Sequence, residues 1–399
     1  MTADPQETYL DLADPDFDVT SSAVHEARDN EWFAQTPYGF AVLRYAEASA
    51  LLTDRRFRQG NARWPEQNGI EDGPFLKWWQ EVLLSLEGDD HARLRRLLGP
   101  AFRRKAIEQL RPEFQRIATE LVEQFAPRGE VELITEFAEP YSARILCLLL
   151  GLPEAEWQQV AYWADDLGKS FGIRVKDDLP RIEAALAGLT EYVEQVVDDR
   201  AAQPRDDLVT TLLHAQEQDG RLSRDELVVA LVFLAFAGME TTRNQIGLAV
   251  QTFLRHPAQW QLLADRPELG AAAVEEVMRV NPTVTWVTRE AIVDVDLNGL
   301  ALPAGSIVQV LSHSAGTDPS AVADPEFDIA RASERPPHLG FGGGVHHCLG
   351  HFVARTDMSV ALPLLAARMP DAVAAGPGQW LPVSGNTGAL SFPIRFRPS

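Results

Sequence analysis

Residues 341–350, Phe-Gly-Gly-Gly-Val-His-His-Cys-Leu-Gly, crowd glycines around two histidines and one of only two cysteines. Glycine at this density disfavours helix and regular strand, and makes a tight loop whose backbone approaches another group closely. From Leu349 to Met369 the pattern turns helical, which places Cys348 at a helix N-terminus. The positive end of the helix dipole and its unpaired N–H groups favour a thiolate there, and a thiolate is a nucleophile or a metal ligand. A zinc site would need a second ligand cluster at suitable spacing, and the sequence has none. A nucleophilic cysteine would need a positioned base, and the loop shows no feature specific to that chemistry. Cys147, in the apolar run RILCLLLGLP, reads as a buried, inert thiol. A disulfide between the two is formally open, though a reducing compartment disfavours it.

A second unusual stretch is Ala237-Gly238-Met239-Glu240-Thr241-Thr242. It lies in the middle of a long helix that begins at the capping box Ser223-Arg224-Asp225-Glu226 and ends before His256-Pro257. The first half of that helix is apolar nearly all round, so it must run through a core. A glycine there weakens the helix by about 1 kcal/mol, and the threonines compete for backbone carbonyls. Either close helix packing at Gly238 or a functional demand accounts for the irregularity.

The elements that position these stretches are mostly helical. Apolar residues recur at helical spacing from about Asp90 to Ala273, with helices predicted over Ile107–Phe125, Tyr141–Leu150, Glu154–Phe171 and Leu179–Arg200. Strands are predicted over Gly39–Leu43, Ala291–Leu297, Ser306–Ser312 and Leu390–Phe396, with Asn298-Gly299 as a hairpin turn. The fold class is therefore mostly α, an α+β layout with small sheets towards both ends. No linker or repeat divides the 399 residues, and a single domain over 1–399 is expected. A net charge of −22, from 58 acidic and 36 basic residues, excludes nucleic acid and anionic membranes as expected partners. The acidic N-terminus does not read as a signal peptide. The longest uncharged apolar run, Leu227–Met239, is too short to span a bilayer, so a cytoplasmic protein is expected.

The glycine loop matches F-G-x-G-x-H-x-C-x-G at every fixed position, and in this the chain resembles the cytochrome P450 family. Glu276-Val277-Met278-Arg279 is similar to the family's E-x-x-R, about 70 residues before the cysteine, whose Glu276 and Arg279 form a structural ion pair. His91-Ala92-Arg93-Leu94-Arg95 is similar to its H-x-x-x-R, and residues 237–242 to the oxygen-activation segment of its central helix, where a kink makes room over the iron. The resemblance implies a cytochrome P450 fold, haem b with the Cys348 thiolate as axial ligand, and insertion of one oxygen atom from O2 into an organic substrate. It implies that Ala237, Gly238, Phe341, Gly342 and Gly350 border the haem. His91, Arg95, Arg289 and His346 would meet the propionates, and Glu240 and Thr241 would relay protons to dioxygen. Members driven by peroxide or catalysing isomerisations often lack that acid–alcohol pair, so its presence favours reductive activation of dioxygen; a peroxide-driven or isomerising enzyme and a non-catalytic haem-binding sensor are the alternatives. The family usually has alanine where His351 follows Gly350, and this histidine is either an inert surface group or a proximal one affecting donor contact. His347 reads as an exposed loop side chain.

No flavin or iron–sulfur domain fits the cysteine count, so electrons are expected from a separate ferredoxin. Residues 91–111 carry seven basic side chains against Glu108, and Arg96, Arg103, Arg104 and Lys105 either dock that donor or form a solvated face. By resemblance the substrate pocket draws on the helix over 167–173 and on Phe233, Ala237, Val284, Val287 and Leu390. Trp78 and Trp79 read either as pocket wall or as core anchors. A lipophilic substrate suits such a lining.

Overall fold

The computed structural model describes residues 8–172, 174–219, 222–382 and 384–399; the first seven residues and Ile173 of the expected pocket helix lie outside them. The principal helices are α1 (Pro74–Glu81), α2 (Gly88–Leu98), α3 (Arg104–Phe125), α4 (Glu139–Leu150), α5 (Trp157–Gly168), α6 (Val175–Ala202), α7 (Arg224–Arg255), α8 (Gly270–Val280) and α9 (His351–Arg368). The expected helices are present with shifted ends. The Glu154–Phe171 span divides into α5 flanked by 3-10 turns at Glu154–Glu156 and Lys169–Phe171. α6 starts ahead of the predicted Leu179 because Pro180 is accommodated near its N-terminus, where few hydrogen bonds are lost.

The capping box at Ser223 is formed: the Glu226 N–H donates to Ser223 Oγ at 3.1 Å, and the Ser223 N–H donates to Glu226 Oε2 at 2.7 Å. From it α7 runs 32 residues, roughly 48 Å at helical rise, with α4, α5 and α6 packed around it. The helix stays continuous through residues 237–242, so the implied kink brings no break in it. A Cβ on Gly238 would stand 3.0 Å from Leu146 Cδ1, which supports the close-packing reading of this glycine.

A five-stranded sheet comprises β1 (Phe33–Thr36), β2 (Gly39–Val42), β3 (Phe57–Gln59), β4 (Trp286–Ala291) and β5 (Ile307–Leu311). Its order is β1-β2-β5-β4-β3, with β2 and β5 parallel and the other pairs antiparallel. The predicted strand at Ala291–Leu297 is in fact two: β4 ends at Ala291, and Val295–Leu297 pairs with Leu300–Leu302 in a separate hairpin. Asn298 and Gly299 turn that hairpin at φ 51° and 90°, the pair of left-handed residues a tight turn demands. The predicted strand at Leu390–Phe396 likewise splits into Ala389–Ser391 and Pro393–Arg395, which join different sheets. α9 packs against α3 and α8, so the glycine loop before it sits between helical layers.

Trp78 and Trp79 are core anchors. α1 turns both indoles inward against Phe75 and towards α7, where Trp78 meets Phe236; Trp79 meets Phe171 and donates from Nε1 to Asn61 O at 2.7 Å. Truncating Trp79 to alanine removes a fully buried ring and is expected to lower stability by about 3–5 kcal/mol in denaturant unfolding.

Candidate active site

The glycine loop is fixed by its own backbone. The Gly342 N–H donates to Leu339 O at 2.8 Å and the Cys348 N–H to Phe341 O at 3.0 Å. Gly344 lies at φ 69° against helix 45–53, where a Cβ would fall 2.4 Å from Leu52 O. No side chain fits there, which is why the loop needs glycine. α9 begins at His351, so Cys348 stands ahead of the first turn rather than within it.

Cys348 forms part of the wall of an internal cavity of about 320 Å³. Surrounded by protein elsewhere, its thiol is pushed up by burial; the Gly350 N–H and the guanidiniums of Arg95 and Arg355 only partly oppose this. A metal cation at the sulfur ionises it outright. Both cysteines are free, and Cys147 is buried in the core with its thiol pushed up to about 12. Among the described residues no group of three or more His, Cys, Asp or Glu side chains is placed to hold a metal ion.

One end of the cavity is polar. His91 and Arg95 reach it from α2 and His346 from the glycine loop, with the two imidazoles 4.2 Å apart. His91 Nε2 is buried with no hydrogen-bond partner among the described residues. Burial, with the His346 and Arg95 charges, pulls His91 down to about 4. Arg95 donates to His347 O, and Arg289 donates to Gln59 Oε1 at 2.7 Å and to Gly343 O at 3.1 Å, its pKa pulled down to about 10 by burial. Glu87 escaped the sequence reading. Its Oε1 lies 3.1 Å from His346 Nε2 and accepts from the Gln59 N–H at 2.7 Å, so this end carries a fixed anion between its cations. No spacing signal marks a lone glutamate at a helix start.

The remaining walls are apolar. Phe233, Ala237, Gly238, Val284, Val287, Phe341, Gly342 and Gly350 all line the cavity, and Glu240 and Thr241 reach it from α7. Leu390 does not line it: it is 44% exposed because its short strand turns it outward, and Gly385 and Asn386 of the preceding loop line the cavity instead. Glu240 is buried. Its Oε1 accepts from Asn244 at 3.3 Å, its Oε2 has no partner among the described residues, and burial raises its pKa against the opposing charge of Arg243. Thr241 Oγ1 donates to Ala237 O at 2.8 Å.

Beneath the loop, Glu276 and Arg279 of α8 form a buried bidentate pair at 2.7 and 2.8 Å. Arg279 also donates to Gly316 O, Pro325 O and Glu326 O, so the pair ties α8 to the segments leading to the loop. Arg355 lies 4.5 Å over the Phe341 ring, pairs with Glu275 and donates to His351 Nδ1 at 2.8 Å. His351 is thus engaged rather than inert. His347, expected to be exposed, is half-buried, its ring 4.7 Å from that of His351.

A family model described as Cytochrome P450 matches residues 156–368. The chain is 35% identical over 97% of its length to luteothin monooxygenase of Streptomyces thioluteus, covering 96% of that protein. It is 36% identical to mycinamicin IV hydroxylase/epoxidase of Micromonospora griseorubida, over 84% of this chain and 83% of the relative. The crystal structure of CalO2 superposes with a TM-score of 0.88 at 34% identity, over 94% of this chain and 96% of that one. The chain belongs to the cytochrome P450 family.

The residues present fit the haem that the family implies. A cysteine sulfur faces an apolar cavity, and a buried imidazole nitrogen without a partner among the described residues stands where a carboxylate acceptor is wanted, beside the Arg95 guanidinium; Arg289, expected at the propionates, does not line the cavity and is held instead by Gln59 and Gly343. A carboxylate facing His91 would raise its pKa from about 4, so haem binding near pH 5 is expected to take up a proton. Calorimetry of haem binding in buffers of different ionisation enthalpy checks this, and the uptake should shrink in His91→Gln.

Proposed function

We propose that this P450 monooxygenase inserts one oxygen atom from O2 into a lipophilic, polyketide-like small molecule, with hydroxylation as the default outcome. The observation that carries the reading is one cavity that brings together the Cys348 sulfur, a polar end suited to two carboxylates and the buried Glu240 carboxyl with Thr241. Haem b, which Cys348 would hold as a thiolate, would supply the dioxygen chemistry when bound. His91, Arg95 and His346 hold the propionates, with Arg289 bracing the loop behind them through Gly343 O. Glu240 holds the proton that the reaction consumes, and Thr241 Oγ1 orients it at the cavity wall. Phe233, Val284 and Val287 place the substrate by apolar contact and exclude water. The likeness to a luteothin monooxygenase and a mycinamicin IV hydroxylase/epoxidase supports the substrate class.

Among the described residues no helix is long and apolar enough to cross a membrane, which agrees with action in the cytoplasm beside a separate electron donor. Arg96, Arg103, Arg104 and Lys105 are exposed on α2, α3 and the turn between them, while Arg93 of the same run pairs with Asp90 and Glu226. On a chain of net charge −22 that patch suits an acidic ferredoxin.

The deciding experiment is the spectrum of the dithionite-reduced protein under carbon monoxide. A strongly red-shifted Soret band that disappears in Cys348→Ala is expected; an ordinary Soret position in the wild type would refute thiolate ligation. Glu240→Gln is expected to cut coupled product formation by about 10²–10⁴-fold. In the wild type, formation should fall as pH rises through the elevated Glu240 pKa, because only the protonated carboxyl donates. Reversing charge in Arg103→Glu with Arg104→Glu should raise the KM for ferredoxin and flatten its salt dependence, leaving the carbon monoxide spectrum unchanged.

A further inference from the structure

The far side of Glu240 leads away from the cavity. Its carboxyl group occupies a notch at the C-terminal end of α5, where a Cβ on Gly168 would fall 2.2 Å from Oε2 and 2.9 Å from Oε1. Glycine at 168 is therefore a demand of the carboxyl, for its backbone is ordinary helix at φ −57°. Arg243, one turn along α7 from Glu240, comes within 3.9 Å of Oε1 through Nη2. Its Nη1 reaches outward to Asp165 Oδ1 of α5 at 2.8 Å and to Glu139 Oε2 at 3.5 Å, at the start of α4. A single π-helical turn, Ile134–Ala138, runs directly into α4 ahead of Glu139.

The charges on this seam divide into fixed and titrating groups. Lys169 binds Asp165 at 3.1 Å and Asp166 at 2.8 Å, and Arg181 of α6 binds Asp166 at 2.6 Å. Burial raises Asp165, but Arg243 and Lys169 outweigh it and hold its carboxyl below the ordinary range, so it stays an anion. Glu139 behaves oppositely: burial wins over Arg243, with Asp165 adding to the rise. Its side chain is still 29% exposed, so it meets solvent as well as the seam. Asn244, the remaining polar neighbour of Glu240 on α7, is packed against the loop at Gly388 and brings no ionisable group. Arg243 cannot release a proton, so it acts as a bridge that holds the two carboxyls near each other.

We propose that Glu139 is the solvent-facing acid that reloads Glu240 with protons along the α4–α5–α7 seam, with Arg243 and Asp165 as the positioning pair and Gly168 as the opening. A proton taken from water by the Glu139 carboxylate passes inward to the Glu240 carboxylate, and Glu139 returns to its anionic form. Each passage moves one proton: Glu139 ends as it began, and Glu240 ends protonated until it gives that proton up. The role in turnover rests on the monooxygenase reading; the route itself does not.

The test follows the Glu240 carboxyl by infrared spectroscopy in the resting, haem-loaded protein, without substrate, electrons or oxygen. The protonated-carboxyl band that disappears in Glu240→Gln belongs to this group, and its shift on transfer to D2O times its exchange. Glu139→Gln is expected to slow that exchange by about tenfold or more, and Glu139→Asp to restore it. In Gly168→Ala the methyl group forces the Glu240 carboxyl out of its notch, and exchange should no longer respond to Glu139→Gln. Unchanged exchange in Glu139→Gln alone would show that protons reach Glu240 from the cavity and would overturn the route. So would the lack of any band that depends on Glu240.

Discussion

A cysteine sulfur buried at the wall of an apolar cavity is the constraint on which the rest of this structure depends. Burial disfavours the thiolate, and neither the helix terminus nor two guanidiniums reverse that. A metal cation bound at the sulfur would ionise it outright. Glycines at 342 and 344 bend the loop at φ 66° and 69°, at 344 a side chain would strike Leu52 O, and the hydrogen bond from Cys348 N to Phe341 O closes it. Arg355, fixed by Glu275 and the Phe341 ring, keeps positive charge beneath it. Burial alone raises Glu275, but bonds from His338 and Arg355 overturn that and hold its carboxyl at about 2, so the pair stays ionised at any ordinary pH.

Distance from that sulfur sorts the other charges. The polar end gathers His91, Arg95 and His346 at the cavity wall, with Glu87 bound to His346 and Arg289 held behind by Gln59 and Gly343, a set with donors left over for further carboxylates. Deeper in the protein, the Glu276–Arg279 pair is wholly buried and gains its net value from three carbonyls and the Asp328 N–H that satisfy what the pair leaves over. On the distal side the same low dielectric has the opposite use. Burial raises the Glu240 pKa against the opposing charge of Arg243, so its carboxyl holds a proton more readily than a solvated one does.

Family membership and mechanism class were legible in the sequence because both depend on short backbone-dictated patterns. F-G-x-G-x-H-x-C-x-G needs each residue type for a local reason, and the capping box at Ser223 with the stop at His256 fixed the central helix at both ends. Less legible was anything that depends on which way a side chain turns. Trp78 and Trp79 differ from pocket residues only in the rotation of a two-turn helix, and Leu390 only in where a strand of three residues breaks. Glu87, Glu139 and Asp165 were invisible for another reason. Each works with a partner far along the chain, and acidic residues are too common in this sequence for any one to stand out.

By itself, then, the sequence determined the helical frame, through helix periodicity and its caps, and through the motifs that resemble the family it singled out Cys348, Glu240 with Thr241 and the basic residues offered to carboxylates. Tertiary structure alone decided which cations face the cavity, how far the thiol and the Glu240 carboxyl move from their ordinary ionisation, and that Gly168 opens a notch behind Glu240. Those properties come from desolvation and from charges brought together by packing of separate helices, and neither is written in the spacing of residues along one chain.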